Sequence, residues 1–353
     1  MTARSSLDLA RADYRDLVLY APDRTPCAVD LSDNTNLWGV PPSAAAVLRE
    51  VDAAAVTRYP ALYAGRLKEA LARYAGVQPD QVVTGCGSDD VLDSAIRAFA
   101  RPGDIVAHPD PSFAMVPIFA RLNGLGAVAV PLAGDFDVDA DAMLATGARI
   151  VYICSPNNPT GTAASRSEIE RLIARAPGVV VLDEAYAEFM GPGWMADAPR
   201  IENLLVTRTM SKAFGLAGLR VGYAVGNPEL VAAVEKSRGP YKVSAVAERA
   251  ACAALDADLG WVRSRIDEAR SNREAFSDAL RHRGFAPLPS TSNFVLVPVR
   301  DATAITKRMR DAGVAVRPFP ALPEIGDAVR ITIGPWPLME AGLAALTGAS
   351  SCA

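Results

Sequence analysis

Seven short apolar runs between about residues 80 and 226 constrain this chain more than any other feature. They are VVTG (82–85), DIVAHP (104–109), AVAVPL (127–132), RIVYICSP (149–156), VVVLDEAY (179–186), LLVTRT (204–209) and RVGYAV (220–225). Several are apolar throughout rather than alternating, the pattern of strands covered on both faces, as in a parallel sheet. Amphipathic stretches between them, such as 88–100 and 165–176, read as helices. The second opens with Ser165 and carries Glu168 three positions later, which predicts a capping box. Strands alternating with helices over this length define an α/β layered domain.

After about Gly239 the pattern changes. Residues 244–284 read as one long helical stretch, followed by the strand-like SNFVLVPV (292–299), a helix at 302–312, strands near VAVRP and VRITI, and a closing helix. This predicts a smaller α+β domain. The first 40 residues have weak periodicity and several prolines, as in an arm. The expected division is an arm at 1–36, a large α/β domain at 37–238 and a small domain at 239–353. There is no internal repeat and no low-complexity linker.

At 353 residues, with 50% hydrophobic and 22% charged side chains, the chain has the make-up of a globular protein of about two domains. A formal net charge of −4 offers no footprint for nucleic acid or an anionic membrane. No apolar run reaches the length that spans a bilayer, and the opening MTARSSLDLARADYRD is expected to be neither a secretory nor a transit signal. Cys27, Cys86, Cys154, Cys252 and Cys352 are scattered without CxxC pairing, which fits a reducing compartment. The expected location is the cytoplasm. With His108 and His282 the only histidines, and both in structural settings, neither a histidine metal site nor histidine-dependent nucleophilic catalysis is expected.

Four segments fall where a parallel sheet displays its strand ends. GCGSDD (85–90) lies between a strand and a helix, where backbone N–H groups bind anions and glycine admits a phosphate closely. SPNNPTG (155–161) is a turn in which Asn157 either donates to a ligand oxygen or stabilises the loop. In VVVLDEAYAEF, Asp183 ends a buried strand. A carboxylate there is costly without a positive partner such as a pyridinium nitrogen, although a helix-capping aspartate is the plainer alternative. In TRTMSKAFGLAGLRVG (207–222), Lys212 sits among small and hydroxyl-bearing residues. Desolvation would make it an amine nucleophile; on its own it reads as a solvated surface lysine, the usual case. Arg220 follows, able to pair with a phosphate.

Taken in order, Asn157, Asp183, Tyr186, Lys212 and Arg220 resemble the fold-type I pyridoxal-phosphate enzymes, the aspartate aminotransferase superfamily. Within it the chain looks most like the histidinol-phosphate aminotransferase family, through SPNNPTG, DEAY, SKAFGLAGLRVG, RYP (58–60), GSDD and SNF (292–294). The resemblance runs from about Tyr20 to Ile333. It implies a large domain with a mostly parallel seven-stranded sheet sandwiched by helices, plus the smaller C-terminal domain. It implies pyridoxal 5'-phosphate as cofactor, held by Lys212 as a Schiff base, with Lys212 then moving the Cα proton. Asp183 would pair with the pyridinium nitrogen, and Asn157 and Tyr186 would hold the phenolic oxygen. Ser88, Asp89, Thr209, Ser211 and Arg220 would line the phosphate site, and Phe113 would stack on the ring. Tyr59 would cross a homodimer interface to the cofactor phosphate. Arg330, in VRITIG, would grip the substrate α-carboxylate, a bidentate task suited to a guanidinium.

The same resemblance implies ping-pong transfer from an amino donor to a 2-oxo acid such as 2-oxoglutarate. Arg317 in AVRPFP matches a second phosphate site for histidinol phosphate, and Tyr20 a residue near the substrate. Where the family has N-E-N-P-Y-G, this chain has Asn34-Thr35-Asn36-Leu37-Trp38-Gly39, and PWPLMEAG follows VRITIG. These departures touch the substrate pocket, with Asn36 and Trp38 among its expected residues, and open the donor to an aromatic amino acid that Trp38 would pack against. A decarboxylase of the threonine-phosphate type keeps the same cofactor residues and is the nearest alternative. A cofactor-binding transcription regulator would need a basic helix-turn-helix, which residues 1–80 lack. A nicotinamide dehydrogenase would need G-x-G-x-x-G where GCGSDD stands, and it leaves Lys212 without a role.

Overall fold

The computed structural model describes residues 6–348 except 16, 20, 22 and 24. Strand β1 (Val29–Asp30) precedes the large sheet, which comprises β2 (Val82–Cys86), β3 (Ile105–Asp110), β4 (Gly126–Pro131), β5 (Ile150–Cys154), β6 (Val179–Asp183), β7 (Leu204–Thr209) and β8 (Val221–Gly226). Every predicted run forms a strand. Across the seven-stranded sheet the order is β2-β8-β7-β6-β5-β3-β4. β8 runs antiparallel to both its neighbours, and every other adjacent pair is parallel.

The uninterrupted apolar runs are explained by what covers them. In β6, Val180 and Leu182 enter one core, while Val179 and Val181 enter the core on the opposite face. Helices Gly87–Phe99, Met115–Leu122 and Pro228–Ser237 close the second face; Gly65–Ala75, Arg166–Arg175 and Ala245–Ala257 close the first. Each Val or Leu buried this way contributes about 1.5–3 kcal/mol, so both faces are committed to packing. Chemistry is left to the carboxyl ends of the parallel strands, where an open α/β sheet binds its ligands.

The small domain carries β9 (Phe294–Pro298), β10 (Val314–Ala315), β11 (Arg317–Leu322) and β12 (Gly326–Thr332), with β11-β12-β9 forming an antiparallel sheet. Its core gathers Phe276, Val295, Met309, Ile331 and Leu343, together with Leu31 from the arm. β1 pairs in parallel with β10, so residues 29–31 are fastened to this domain. Helix Ala245–Ala257, past the expected boundary at 238/239, packs with the large-domain core. Among the described residues no helix is long and apolar enough to cross a membrane.

Two local expectations differ from the structure for clear reasons. The stretch expected as one helix over 244–284 is two, Ala245–Ala257 and Leu259–Arg281, broken at Asp258. The Asp258 carboxylate accepts from the backbone N of Ser43 (2.8 Å) and Ala44 (3.3 Å) and from the Ser43 hydroxyl (2.8 Å). It thereby caps helix Pro42–Arg49, whose own N-cap residue, Pro41, makes no side-chain capping bond. Ser165 does accept from the backbone N of Glu168. The Glu168 carboxylate, however, takes the backbone N of Ala140 and the guanidinium of Arg171 in place of closing the capping box.

Candidate active site

A cavity of about 570 Å³ opens at the carboxyl ends of β5, β6 and β7, under the strand that carries Arg330. Ser88, Asp89, Phe113, Asp183, Tyr186, Thr209, Ser211, Lys212, Arg220 and Arg330 all line it. Residues as far apart in sequence as Ser88 and Arg330 therefore meet in one space.

Asp183 is the last residue of β6 and is buried. Its carboxylate accepts from the Tyr152 hydroxyl on neighbouring β5 (2.9 Å) and from the backbone N of Ala185 (3.1 Å). Burial outweighs these donors and pushes its pKa up to about 6. An anion held there against its solvation preference is complementary to a cation brought by a ligand. The next residue faces the opposite way: Glu184 accepts from Arg208 (2.9 and 2.6 Å), which also reaches Glu188 (3.2 Å). That buried ion group braces the ends of β6 and β7 from the side away from the cavity.

Lys212 lies in the turn after β7, and its Nζ donates to the backbone O of Asp33 (3.0 Å). The side chain reaches the cavity, yet surrounding walls desolvate the ammonium, and Arg330 and Arg220 add their positive charge. Its pKa falls to about 8. With that pKa the amine is mostly protonated at pH 7 but keeps a neutral fraction able to act as nucleophile and base.

At one end of the cavity, helix Gly87–Phe99 begins with Ser88 and Asp89 in its first turn. A Cβ on Gly222 would collide with the backbone N of Ser88, and a Cβ on Gly87 (φ +80) with the Arg220 guanidinium. The glycines let β8 press against the helix start, bringing its N–H groups beside Thr209, Ser211 and Arg220. The Thr209 hydroxyl donates to Ser211 Oγ (2.9 Å), and Arg220 Nη2 reaches Asp89 (3.3 Å). Backbone N–H groups, hydroxyls and a guanidinium form an anion site there.

Arg330 Nη1 donates to Asn158 Oδ1 (2.5 Å) and Nη2 to the backbone O of Ser32 (2.7 Å). The guanidinium lies 5.4 Å from the Phe294 ring and 5.5 Å from the Phe319 ring, held by faces that favour a cation.

The family described as Aminotransferase class I and II matches residues 27–346. The chain belongs to that family. It is 34% identical over 332 residues to the histidinol-phosphate aminotransferase of Thermoanaerobacter sp. (strain X514), covering 92% of this chain and 94% of that one. It is 38% identical over 336 residues to the aromatic amino acid aminotransferase of Mycolicibacterium smegmatis, covering 92% and 91%. The histidinol-phosphate aminotransferase of Sinorhizobium meliloti, solved in complex with pyridoxal-5'-phosphate, superimposes with a TM-score of 0.85 at 26% identity, over 99% of this chain and 98% of that chain.

Class I and II aminotransferases use pyridoxal phosphate, and this cavity fits it. An anion site at one end suits the phosphate, the Lys212 amine suits the carbonyl carbon, and the buried Asp183 carboxylate suits the ring nitrogen. The fit comes from an anion site, a desolvated amine and a buried carboxylate, each complementary to one part of the cofactor.

Several expected residues sit elsewhere in the aminotransferase. Asn157 does not line the cavity. Its side chain accepts from Ser112 Oγ (2.8 Å) and donates to Pro111 O and Thr160 Oγ1 (both 3.0 Å), so it holds the turn together, and Asn158 lines the cavity in its place. Asn36 braces the loop of Lys212 by donating to Ala213 O (3.0 Å) and accepting from the backbone N of Trp38 (2.9 Å). Trp38 packs against the large core, and Asp33 and Thr35 line the cavity from that segment instead. Tyr59 is 84% exposed, stacked 4.9 Å from Tyr241 beside a separate groove. Arg317 lines a neighbouring groove with Ser32 and Arg310. It is the cross-strand partner of Arg330, so the two side chains leave the sheet on one face. Tyr20 lies outside the described residues. Nothing in RIVYICSP distinguishes Tyr152 from a core aromatic, and nothing in SPNNPTG distinguishes Asn158 from Asn157, so neither site residue is expected from sequence.

Proposed function

We propose that this aminotransferase takes an amino group from histidinol phosphate or an aromatic amino acid and passes it to a 2-oxo acid such as 2-oxoglutarate. It works in the cytoplasm as a homodimer. The observation that carries this reading is a desolvated Lys212 amine facing Asp183 and Arg330 in one cavity.

When bound, pyridoxal phosphate supplies a ring that takes up the electron pair left at the substrate Cα. The chain's own residues do the rest. Ser88, Asp89, Thr209, Ser211 and Arg220 hold the phosphate, and Phe113 covers the ring. Asp183 keeps the ring nitrogen protonated, and Tyr186 and Asn158 hold the phenolic oxygen. Arg330 grips the carboxylate of the amino or oxo acid, exchanging Ser32 O and Asn158 Oδ1 for it. Lys212 Nζ takes the Cα proton and returns it on the other side of the transfer.

Two further features support the finer parts of this reading. Arg317 beside Arg330 offers paired guanidinium groups to a phosphorylated donor, whereas Trp38, committed to the core, gives no support to an aromatic wall. Val56, Tyr59, Leu62 and Tyr241 are exposed at 71%, 84%, 59% and 44%. A second copy covering them would carry Tyr59 toward its partner's phosphate site.

A half-reaction screen tests the donor. Enzyme loaded with cofactor is mixed separately with histidinol phosphate, phenylalanine, tyrosine and glutamate while the visible cofactor band is followed. Rapid loss with histidinol phosphate but not with the aromatic acids is the expected result; loss with the aromatic acids alone makes it an aromatic aminotransferase. Arg330→Ala is expected to weaken glutamate and 2-oxoglutarate binding by about 10- to 100-fold, the worth of charge-assisted hydrogen bonds. Unchanged affinity for glutamate by titration would remove Arg330 from this role.

A further inference from the structure

Asn34 makes more polar contacts than any role given to its segment explains. It is 1% exposed, in a left-handed conformation (φ 54), between the two domains. Its backbone N donates to Thr332 Oγ1 (2.9 Å), and the Thr332 hydroxyl donates back to Asn34 Oδ1 (3.1 Å). Its Nδ2 donates to the Tyr186 hydroxyl (3.1 Å), and its carbonyl accepts from Asn293 Nδ2 (3.0 Å).

The direction of these bonds is fixed by counting protons. Thr332 is itself 1% exposed, so its one hydroxyl proton needs an acceptor. Turning the Asn34 amide over would leave that proton stranded and aim two donors at one oxygen. Oδ1 therefore faces Thr332 and Nδ2 faces Tyr186. The Tyr186 oxygen then accepts from Asn34, and its own proton is left to point elsewhere. Tyr186 lines the cavity.

We propose that Asn34 is a positioning residue for Tyr186: by donating to the phenol oxygen it directs the phenol proton into the cavity, and through Thr332 it ties that orientation to the strand carrying Arg330. The proposal rests on the reading above, in which Tyr186 meets the phenolic oxygen of pyridoxal phosphate. Burial raises the Tyr186 pKa to about 12, so the proton is retained throughout the working pH range. Thr332 lies two residues from Arg330 on β12, and successive odd or even positions share a face. The strand that binds the substrate carboxylate thus also sets the donor aimed at the cofactor.

The experiment measures the cofactor dissociation constant and the pH midpoint of its visible lysine-bound band in Asn34→Ala, Asn34→Asp and Thr332→Val, each alone and with Tyr186→Phe. A donor on the ring oxygen favours its anionic form, so losing that donor moves the midpoint upward. Asn34→Ala removes the direction-setting bond, and the expected shift is about half to one pH unit. Asn34→Asp keeps the shape and tolerates φ > 0, but its carboxylate draws the Tyr186 proton away from the cavity. It should shift the band further than Asn34→Ala and weaken cofactor binding by about tenfold. Thr332→Val frees the amide to turn over and gives a smaller shift of the same sign. In the Tyr186→Phe background all three shifts should vanish. Asn34→Asp milder than Asn34→Ala, the mark of a purely structural role, or shifts that persist without the Tyr186 hydroxyl, would overturn the proposal. A native chain with no lysine-bound band would instead overturn the functional reading beneath it.

Discussion

Lys212→Ala is expected to lose the visible band of lysine-bound cofactor entirely and to cut turnover by roughly 10⁴-fold or more, the upper range for one proton-transfer group compounded by loss of the covalent attachment. The expectation follows from where the other amines are. Lys212 is the lysine that lines the cavity. Lys68, Lys242 and Lys307 are tied to Glu235 (3.1 Å), Asp90 (2.7 Å) and Asp311 (2.7 Å). Those amines are engaged with carboxylates outside the cavity, whereas burial and the neighbouring Arg330 bring the Lys212 pKa down to about 8. Cofactor should still enter the variant, because the anion site and Asp183 do not depend on the amine. Borohydride reduction followed by peptide mapping checks the attachment, and equilibrium dialysis of the variant against cofactor checks its entry. A reducible cofactor adduct on another lysine would remove Lys212 from the centre of the mechanism.

That Asp183 stands out in the sequence has a physical basis: it sits where a buried apolar strand stops, and a charge there needs a reason. Lys212, in the turn past β7, reads alone as a surface lysine and stands out only through the order of the motifs around it. The seven strands were legible for a related cause: burial on both faces leaves long apolar runs that no helix periodicity imitates. What escaped depends on direction. Asn157 and Asn158 are adjacent in one turn, and nothing in SPNNPTG tells which side chain faces the cavity. Trp38 had the chemistry of a pocket wall, but its direction is set by contacts with a core assembled from distant segments. The break at Asp258 was hidden in a helical pattern because its cause, the uncapped start of helix Pro42–Arg49, lies some 215 positions away. Asn34 escaped similarly. Its partners Tyr186, Asn293 and Thr332 lie on three distant segments, and a single asparagine in an arm carries no periodicity.

Without its cofactor the enzyme should also carry a source of instability that cofactor binding removes, with a definite dependence on pH. Asp183 titrates at about 6 in the folded chain against 3.8 in its ordinary state. A carboxyl group with a raised folded pKa favours the folded state below the ordinary value and loses that advantage as pH rises through the folded value. The cofactor-free enzyme should therefore lose about 3 kcal/mol of stability from this group between pH 3 and pH 7, roughly 1 kcal/mol of it between pH 5 and pH 7. Lys212 acts in the opposite sense: its pKa is lowered from 10.5 to about 8, so its cost builds as pH falls from the ordinary value and is complete below about 8. Near pH 7 both groups are charged and poorly solvated at once. Cofactor binding relieves each, because a protonated ring nitrogen partners Asp183 and attachment at Nζ ends the isolated ammonium. Urea unfolding of cofactor-free enzyme, native and Asp183→Asn, at pH 5 and pH 7 isolates the Asp183 contribution. The variant should gain on the native chain by roughly 1 kcal/mol over that interval. With cofactor bound the order should reverse, the native chain being the more stable at pH 7. A stability difference independent of pH in the cofactor-free pair would mean that Asp183 is not held against its solvation preference, and the case for a cationic partner above it would fall.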